Sequence, residues 1–346
     1  MDVAATLRDL GPIFTWASAL EAGLTAYQLR KALASGDIER VGRGVYRVRE
    51  SLADAPTWEL VRAEHLRRCR ELLALHPGHV ASHQTAAVVH DLQLRLHPLM
   101  DVQLTSVDRV PCSRREPGAF LHHAQSIATD ATTVDGIRTT TVARTVADIL
   151  RTSRPCHSLA LLDAAVRAGH TTRAEVEAVL RTQVRWRGRP RAKEALELHD
   201  PRRESWLESF SFVTLHELGL PMPRPQVEVL DEGFHFVGRV DGMLGPVFLE
   251  ADGASKYLLL TEELGLSAEE SISRRIAEQQ QRHEHLTALG LTGVRWTTQE
   301  ITHRPEQVVG RIWRALQSTD PADFRGWLRR DGRIERPEPH EVPTGL

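Results

Sequence analysis

The sequence predicts a multidomain α/β protein: a small N-terminal module, an α+β middle region and a C-terminal α/β domain. Three observations predict it. At 346 residues the chain is long for one hydrophobic core. Residues 1–50 read as three short helices followed by a run that alternates about a glycine, as a β-hairpin does. Farther on, Gly238-Arg239-Val240-Asp241 and Val247-Phe248-Leu249-Glu250-Ala251-Asp252-Gly253 are apolar strand-like segments that end in acids.

Composition narrows the class. Hydrophobic residues make up 41% and charged residues 26%, ordinary values for a soluble globular protein. No apolar run approaches the roughly 18 residues of a membrane span. The start, Met1-Asp2-Val3-Ala4-Ala5, lacks the basic and apolar regions of a signal peptide. Cys69, Cys112 and Cys156 are far apart, so free thiols in a reducing cytoplasm are expected rather than a zinc site. Of the 44 basic residues all but Lys31, Lys193 and Lys256 are arginine, a bias that with abundant alanine points to a GC-rich bacterial genome. A net charge of −2 argues against a generally basic coat, so any nucleic-acid contact must use local patches.

In residues 1–50, Leu7 and Leu10 mark a first helix. Phe14, Ala17, Ala19 and Leu20 mark a second, ended by Gly23. Thr25 caps a third, which carries Leu29 and Leu33 and stops at Gly36. The hairpin runs Ile38 to Val48 across Gly42-Arg43-Gly44. Helix, turn, helix, hairpin is the order of a winged helix-turn-helix. In that reading the third helix, with Tyr27, Arg30 and Lys31, enters a DNA major groove, and Arg40, Arg43 and Arg47 on the wing meet phosphates. The alternative is a structural αβ module with a solvated arginine-bearing hairpin; seven basic and six acidic residues leave charge undecided.

The middle domain is expected over 57–180. Residues 57–97 read as helical, with Trp58, Leu60, Leu66, Leu72, Leu73 and Leu75 apolar and a second helix opening at Ser82-His83. His83 and His90 share a helical face, without a third ligand at metal spacing, and read as ordinary polar-edge histidines. Strands are expected at 102–105, 119–122 and 136–141, then a helix in which Arg144 and Asp148, at i and i+4, form a structural ion pair. Amphipathic helices cover 158–180. A basic linker is expected over 181–203; Arg185, Arg187 and Arg189 flank Trp186 and read either as phosphate contacts or as a solvated connection. The last domain covers 204–317 and a polar tail 318–346, with Pro337, Pro339 and Pro343.

Glu250 and Asp252, at i and i+2, share one face of a strand end. With Asp241 on a paired strand, three carboxylates would converge, and such a cluster needs a cation, a proton or water. A hard divalent cation such as Mg²⁺ is one answer. The other is that acids simply solvate a turn.

Residues 205–301 resemble the very-short-patch-repair-like branch of the PD-(D/E)XK nuclease superfamily. The resemblance rests on Ser205-Trp206-Leu207-Glu208-Ser209, Leu218-Gly219-Leu220-Pro221, Gln226, Arg239-Val240-Asp241, Glu250-Ala251-Asp252-Gly253, Gln281-Arg282-His283-Glu284-His285-Leu286 and Val294-Arg295-Trp296-Thr297. It implies a restriction-endonuclease-like α-β-β-β-α-β core with the acids at one sheet edge. It also implies a catalytic set of Glu208, Asp241, Glu250, Asp252 and Lys256. Asp241 and Glu250 would hold Mg²⁺ with the Ala251 carbonyl, and Glu208 would act through water. The metal would polarise a scissile DNA phosphate and activate the attacking water. Where the superfamily usually has lysine this chain has Asp252; Lys256, Arg282 or Gln279 would have to supply the missing group.

The N-terminal half resembles the AbiEi-type antitoxin and regulator family of abortive-infection toxin–antitoxin systems. The matching residues are Gly42-Arg43-Gly44-Val45-Tyr46, Val134-Asp135-Gly136-Ile137-Arg138-Thr139-Thr140 and Ala143-Arg144-Thr145-Val146-Ala147-Asp148. This likeness implies DNA and a cognate toxin as partners, and winged-helix proteins often bind DNA as homodimers. Two functions follow. One is a DNA-binding protein with a metal-dependent nuclease-like domain in repair, restriction or phage defence. The other is a non-catalytic antitoxin-like regulator with a degenerate nuclease domain.

Overall fold

The computed structural model describes residues 3–10, 13–42, 44–48, 57–94, 101–107, 112–116, 118–123, 127–253 and 268–337. Two compact units are formed, one of Met1–Ile149 with Ala174–Thr182, the other of Leu150–Arg173 with Gln183–Leu346.

The first unit begins with α1 (Val3–Asp9), β1 (Ile13–Thr15), α2 (Trp16–Glu21), α3 (Ala26–Ser35), β2 (Ile38–Gly42) and β3 (Val45–Val48). Threonine starts both α2 and α3. The Oγ1 of Thr15 accepts from the Ser18 N–H at 3.0 Å, and that of Thr25 from the Gln28 N–H at 3.2 Å. Ser18 and Gln28 return the bond to the threonine N–H groups, so each helix opens with a reciprocal cap. Gly36, at φ +80°, closes α3 in the left-handed region. Gly44, at φ +77°, makes the turn between β2 and β3. Phe14, expected on the second helix, lies instead on β1, opposite Tyr46 of β3. The resulting antiparallel sheet has the order β1-β3-β2. Leu7, Phe14, Ala19, Leu24, Leu29, Ala32 and Ile38 form its buried core.

Next come α4 (Thr57–Leu75), β4 (His79–Ala81), α5 (His83–Val89), β5 (Val102–Ser106), β6 (Arg114–Glu116), β7 (Ala119–His122), β8 (Ala131–Val134), β9 (Ile137–Thr140) and α6 (Val142–Thr152). The strands form a mixed sheet of order β6-β7-β5-β4-β9-β8 over a core that includes Cys69, Ala81, Val102, Leu104, Leu121 and Ile137. The stretch read as helical is interrupted by β4, because Val80 and Ala81 are needed at the centre of this sheet. The two histidines are packed in: the His90 ring lies 2.7 Å from the Thr140 carbonyl, and His83 stacks on His122. Arg144, buried on α6, donates to Asp148 at 2.7 Å as expected, and also to Asp130 at 2.7 Å.

The chain continues through α7 (Pro155–Arg167) of the second unit and α8 (Arg173–Thr182) of the first. The rest of the second unit is α9 (Arg189–Glu197), α10 (Trp206–Glu217), β10 (Arg224–Leu230), β11 (Phe236–Leu244), β12 (Val247–Asp252), α11 (Ala268–Ala288), β13 (Thr292–Thr297), α12 (Thr298–His303), α13 (Pro305–Ser318), β14 (Trp327–Arg330) and β15 (Arg333–Glu335). Residues 207–215 of α10 are buried without interruption, and α10 packs on α7. A buried polar knot fastens these helices. Asp163 of α7 accepts from Arg203 at 2.5 Å and from Ser209 of α10 at 2.7 Å, and the His199 ring lies 2.5 Å from it.

Two expectations are corrected here. Residues 181–203 are not a linker but contain α9, whose Ala192, Ala195 and Leu196 are buried. Gly188, at φ +79°, starts α9 so close to Arg151 that a Cβ would sit 2.0 Å from that residue's carbonyl oxygen. Residues from 318 onward are not simply a tail. The hairpin β14–β15 completes a six-stranded sheet of order β13-β12-β11-β10-β14-β15, with Glu228 of β10 opposite Arg329 of β14.

Candidate functional site

The chain carries two candidate sites, one in each unit. In the first, Leu29 and Ala32 turn inward on α3, which leaves Tyr27, Arg30 and Lys31 on its open face. Their i, i+3, i+4 spacing makes one stripe, and Tyr27 is 74% exposed. Arg40 is exposed on β2, opposite Tyr46. Arg47 lies on β3, whereas Arg43 lies outside the described residues. In the second unit, Arg185 and Arg187 are exposed and Arg189 is half-buried at the start of α9. Trp186 is anchored beneath the Arg151 guanidinium, 4.8 Å from its ring centre, so these arginines sit on a fixed turn.

The acids lie on inner strands rather than on an edge strand, since β10 and β13 flank the β11–β12 pair. Antiparallel pairing of β11 with β12 ends at Gly242 and Leu249, which puts Asp241 and Glu250 side by side. Asp241 accepts from the Ala251 N–H at 2.9 Å. On its other side the β10–β11 ladder is broken. Pro225 pairs with Gly242 and Val227 with Val240, while Gln226, between them, is held at φ +53°. A left-handed conformation costs a non-glycine residue about 1–2 kcal/mol. Gln226 donates to Glu208 at 2.9 Å, and Glu208 also accepts from the Glu204 N–H at 2.9 Å. Burial, and then the charge of Asp241, push the Glu208 carboxyl above the usual glutamate range.

Arginines answer the remaining charge. Arg282 of α11 donates to both oxygens of buried Glu250, at 2.9 and 2.8 Å. Arg295, beside Glu250 on parallel β13, lies 3.1 Å from Asp252 and 3.8 Å from Glu250. Gln279 reaches Asp252 at 3.4 Å. The stem of Arg282 crosses β11 over Gly238, where a Cβ would lie 3.0 Å from its Cδ. Thus Glu208, Asp241, Glu250 and Asp252 are neighbours, while Lys256 lies outside the described residues. The roles of Arg295 and the backbone at Gln226 carry no signal in local sequence.

The donor chemistry suits a hard cation, but the arrangement does not. Among the described residues no group of three or more His, Cys, Asp or Glu side chains is gathered to hold a metal ion. Both oxygens of Glu250 are already engaged by Arg282. Mg²⁺ therefore does not fit the side chains as they stand.

The fold defines, at the N-terminus, a winged helix and, at the C-terminus, an α-β-β-β-α-β run that places acids on paired inner strands. Residues 1–49 match the family AbiEi_4, described as "Transcriptional regulator, AbiEi antitoxin". Over nearly the whole chain, the protein is similar to two from Mycobacterium tuberculosis. They are uncharacterized protein MT2308 of strain CDC 1551 / Oshkosh and uncharacterized protein Rv2248 of strain ATCC 25618 / H37Rv. Each is 27% identical over 294 residues, spanning 85% of this chain and 97% of its own length. Among the described residues no helix is long and apolar enough to cross a membrane.

Proposed function

We propose that this protein is a DNA-binding transcriptional regulator of the antitoxin type, in which α3 reads duplex DNA and the β2–β3 wing holds the backbone. The observation that carries it is the capped helix-turn-helix with Tyr27, Arg30 and Lys31 on its open face. The match of residues 1–49 to a transcriptional-regulator family supports the same reading. A cognate toxin is the protein partner, and a homodimer on a two-fold operator is the binding form. The test is fluorescence anisotropy on DNA from upstream of its own gene, across a salt series. Arg30→Ala, Lys31→Ala and Arg40→Ala should each weaken binding and lower the salt slope by about 1. Unchanged affinity and slope in all three would remove the winged helix from DNA.

A second reading, hydrolysis of DNA phosphodiesters by the C-terminal unit with Arg282 released from Glu250, is supported by Asp241 and Glu250 standing just beyond the last β11–β12 pair, beside the strained Gln226. Its test is titration of Mg²⁺ and Mn²⁺ into wild type and Asp241→Ala by calorimetry, with plasmid nicking alongside. Binding heat and nicking, both lost in the variant, would support it. Absence of both in the wild type would leave the acids as a structural cluster neutralised by arginine.

A further inference from the structure

Next to the acids lies a cleft of about 610 Å³, whose lining includes Phe236, Arg239, Arg282 and His285 together with the carboxylates Glu204, Asp241 and Glu278. Its size falls within the roughly 300–1,000 Å³ of small-ligand sites. One wall is β11. The other is a polar face of α11, on which Gln281 and His285 stand four apart and Arg282 adjoins. The next residue on the helix, Leu286, turns inward and is completely buried, so the polar face is an opening that the core does not fill.

Phe236 stands at the lip. It is 60% exposed, and it stacks on no ring among the described residues. Its neighbour Phe234, by contrast, stacks on Trp327 at 5.2 Å. An aromatic face left open beside two guanidinium groups and a side-chain amide is what an unstacked nucleotide needs: a platform for the base, N–H donors for the phosphate on arginines that also serve Glu204 and Glu250, and a group for the base edge. Arg239 is tied to Glu204 at 2.8 Å and Arg282 to Glu250, so both guanidinium groups are held in place at the cleft wall.

We infer that this cleft binds one unpaired nucleotide of single-stranded DNA, with its base on Phe236 and its phosphate against Arg282 and Arg239. DNA is chosen over RNA because the same chain carries the winged helix, and only that choice rests on the reading above. Nothing in the inference requires catalysis or a metal.

The experiment is anisotropy of a short fluorescein-labelled oligothymidine with the full chain in EDTA. Phe236→Ala should weaken binding about tenfold, the loss expected for one base–aromatic stack, and Phe236→Trp should restore it. Since Phe236 is largely exposed, its removal leaves the fold intact. Arg282→Ala should also weaken binding and reduce its salt dependence. Arg30→Ala should leave oligothymidine binding unchanged while lowering duplex affinity, which separates failure of this site from failure of the winged helix. The inference is overturned if wild type does not bind oligothymidine, if Phe236→Ala binds as well as wild type, or if oligouridine binds more tightly.

Discussion

Replacing Asp163 with alanine removes the centre of the knot that joins α7 to the start of α10. Asp163 is 0% exposed and Arg203 is 1% exposed, so the substitution strands a buried guanidinium whose main anionic partner is gone. Breaking a buried pair in this way costs about 3–5 kcal/mol. Arg203 keeps one bond, to the Leu198 carbonyl, and Ser209 loses its acceptor, so the upper part of that range applies. For a unit of this size the loss corresponds to a fall in Tm of roughly 8–20 °C. Five tryptophans, Trp186, Trp206, Trp296, Trp313 and Trp327, lie in the second unit, so thermal melts followed by tryptophan fluorescence report on it. A double variant, Asp163→Ala with Arg203→Met, should be less destabilised than Asp163→Ala alone, because no buried charge is left unpaired. A shift below about 2 °C in Asp163→Ala, or a double variant that melts lower than the single, would refute the reasoning.

Other outcomes follow from the same principles. Glu208 loses its proton at higher pH in the folded than in the unfolded chain, so it lowers stability as pH rises from 4.5 through its raised value. Glu208→Gln should therefore be more stable than wild type at neutral pH in denaturant titrations, with the gap closing below pH 4.5. His65 behaves in the opposite sense. Burial, and then Arg68, lower it from 6.5 to about 4, so stability is full above pH 6.5 and is lost as pH falls toward 4. The slope is about 1.4 kcal/mol per pH unit, and His65→Gln should flatten it in acid-unfolding curves. Gly188→Ala should expose the 183–193 segment to limited proteolysis, since the new Cβ meets the rigid carbonyl of Arg151.

Local signals made some of this legible in the sequence. Thr25 and Gly36 bound α3 because caps and left-handed stops are written in single residues. Arg144 and Asp148 pair because four residues is one helical turn, although the second partner, Asp130, is fourteen residues away in sequence and left no mark there. The strands missed, β1, β4, β6, β8, β14 and β15, are three or four residues long, too short to show a period. Helix α9 was hidden because its buried face is two alanines and a leucine beneath a coat of arginine and lysine. In the acid site, Glu250 and Asp252 were visible at a strand end, whereas Asp241, read as ending a strand, lies inside β11, which runs on to Leu244. The arginines that neutralise them were not, since Arg282 meets Glu250 across 32 residues and Arg295 does so by parallel strand pairing.

The late arrival of β14 has a consequence for synthesis. Glu228 of β10 meets Arg329 across 101 residues, so after β10 leaves the ribosome its outer flank stays open for roughly 5–20 s. An unpaired strand edge is a template for other chains. The winged helix has no such delay, for its longest strand pairing runs only from Ile13 to Arg47. A chain that stops after α13 would keep the whole winged helix and yet present β10 as an open edge. Translation truncated there should yield aggregates that still carry a folded N-terminal module, whereas stops beyond β15 should not.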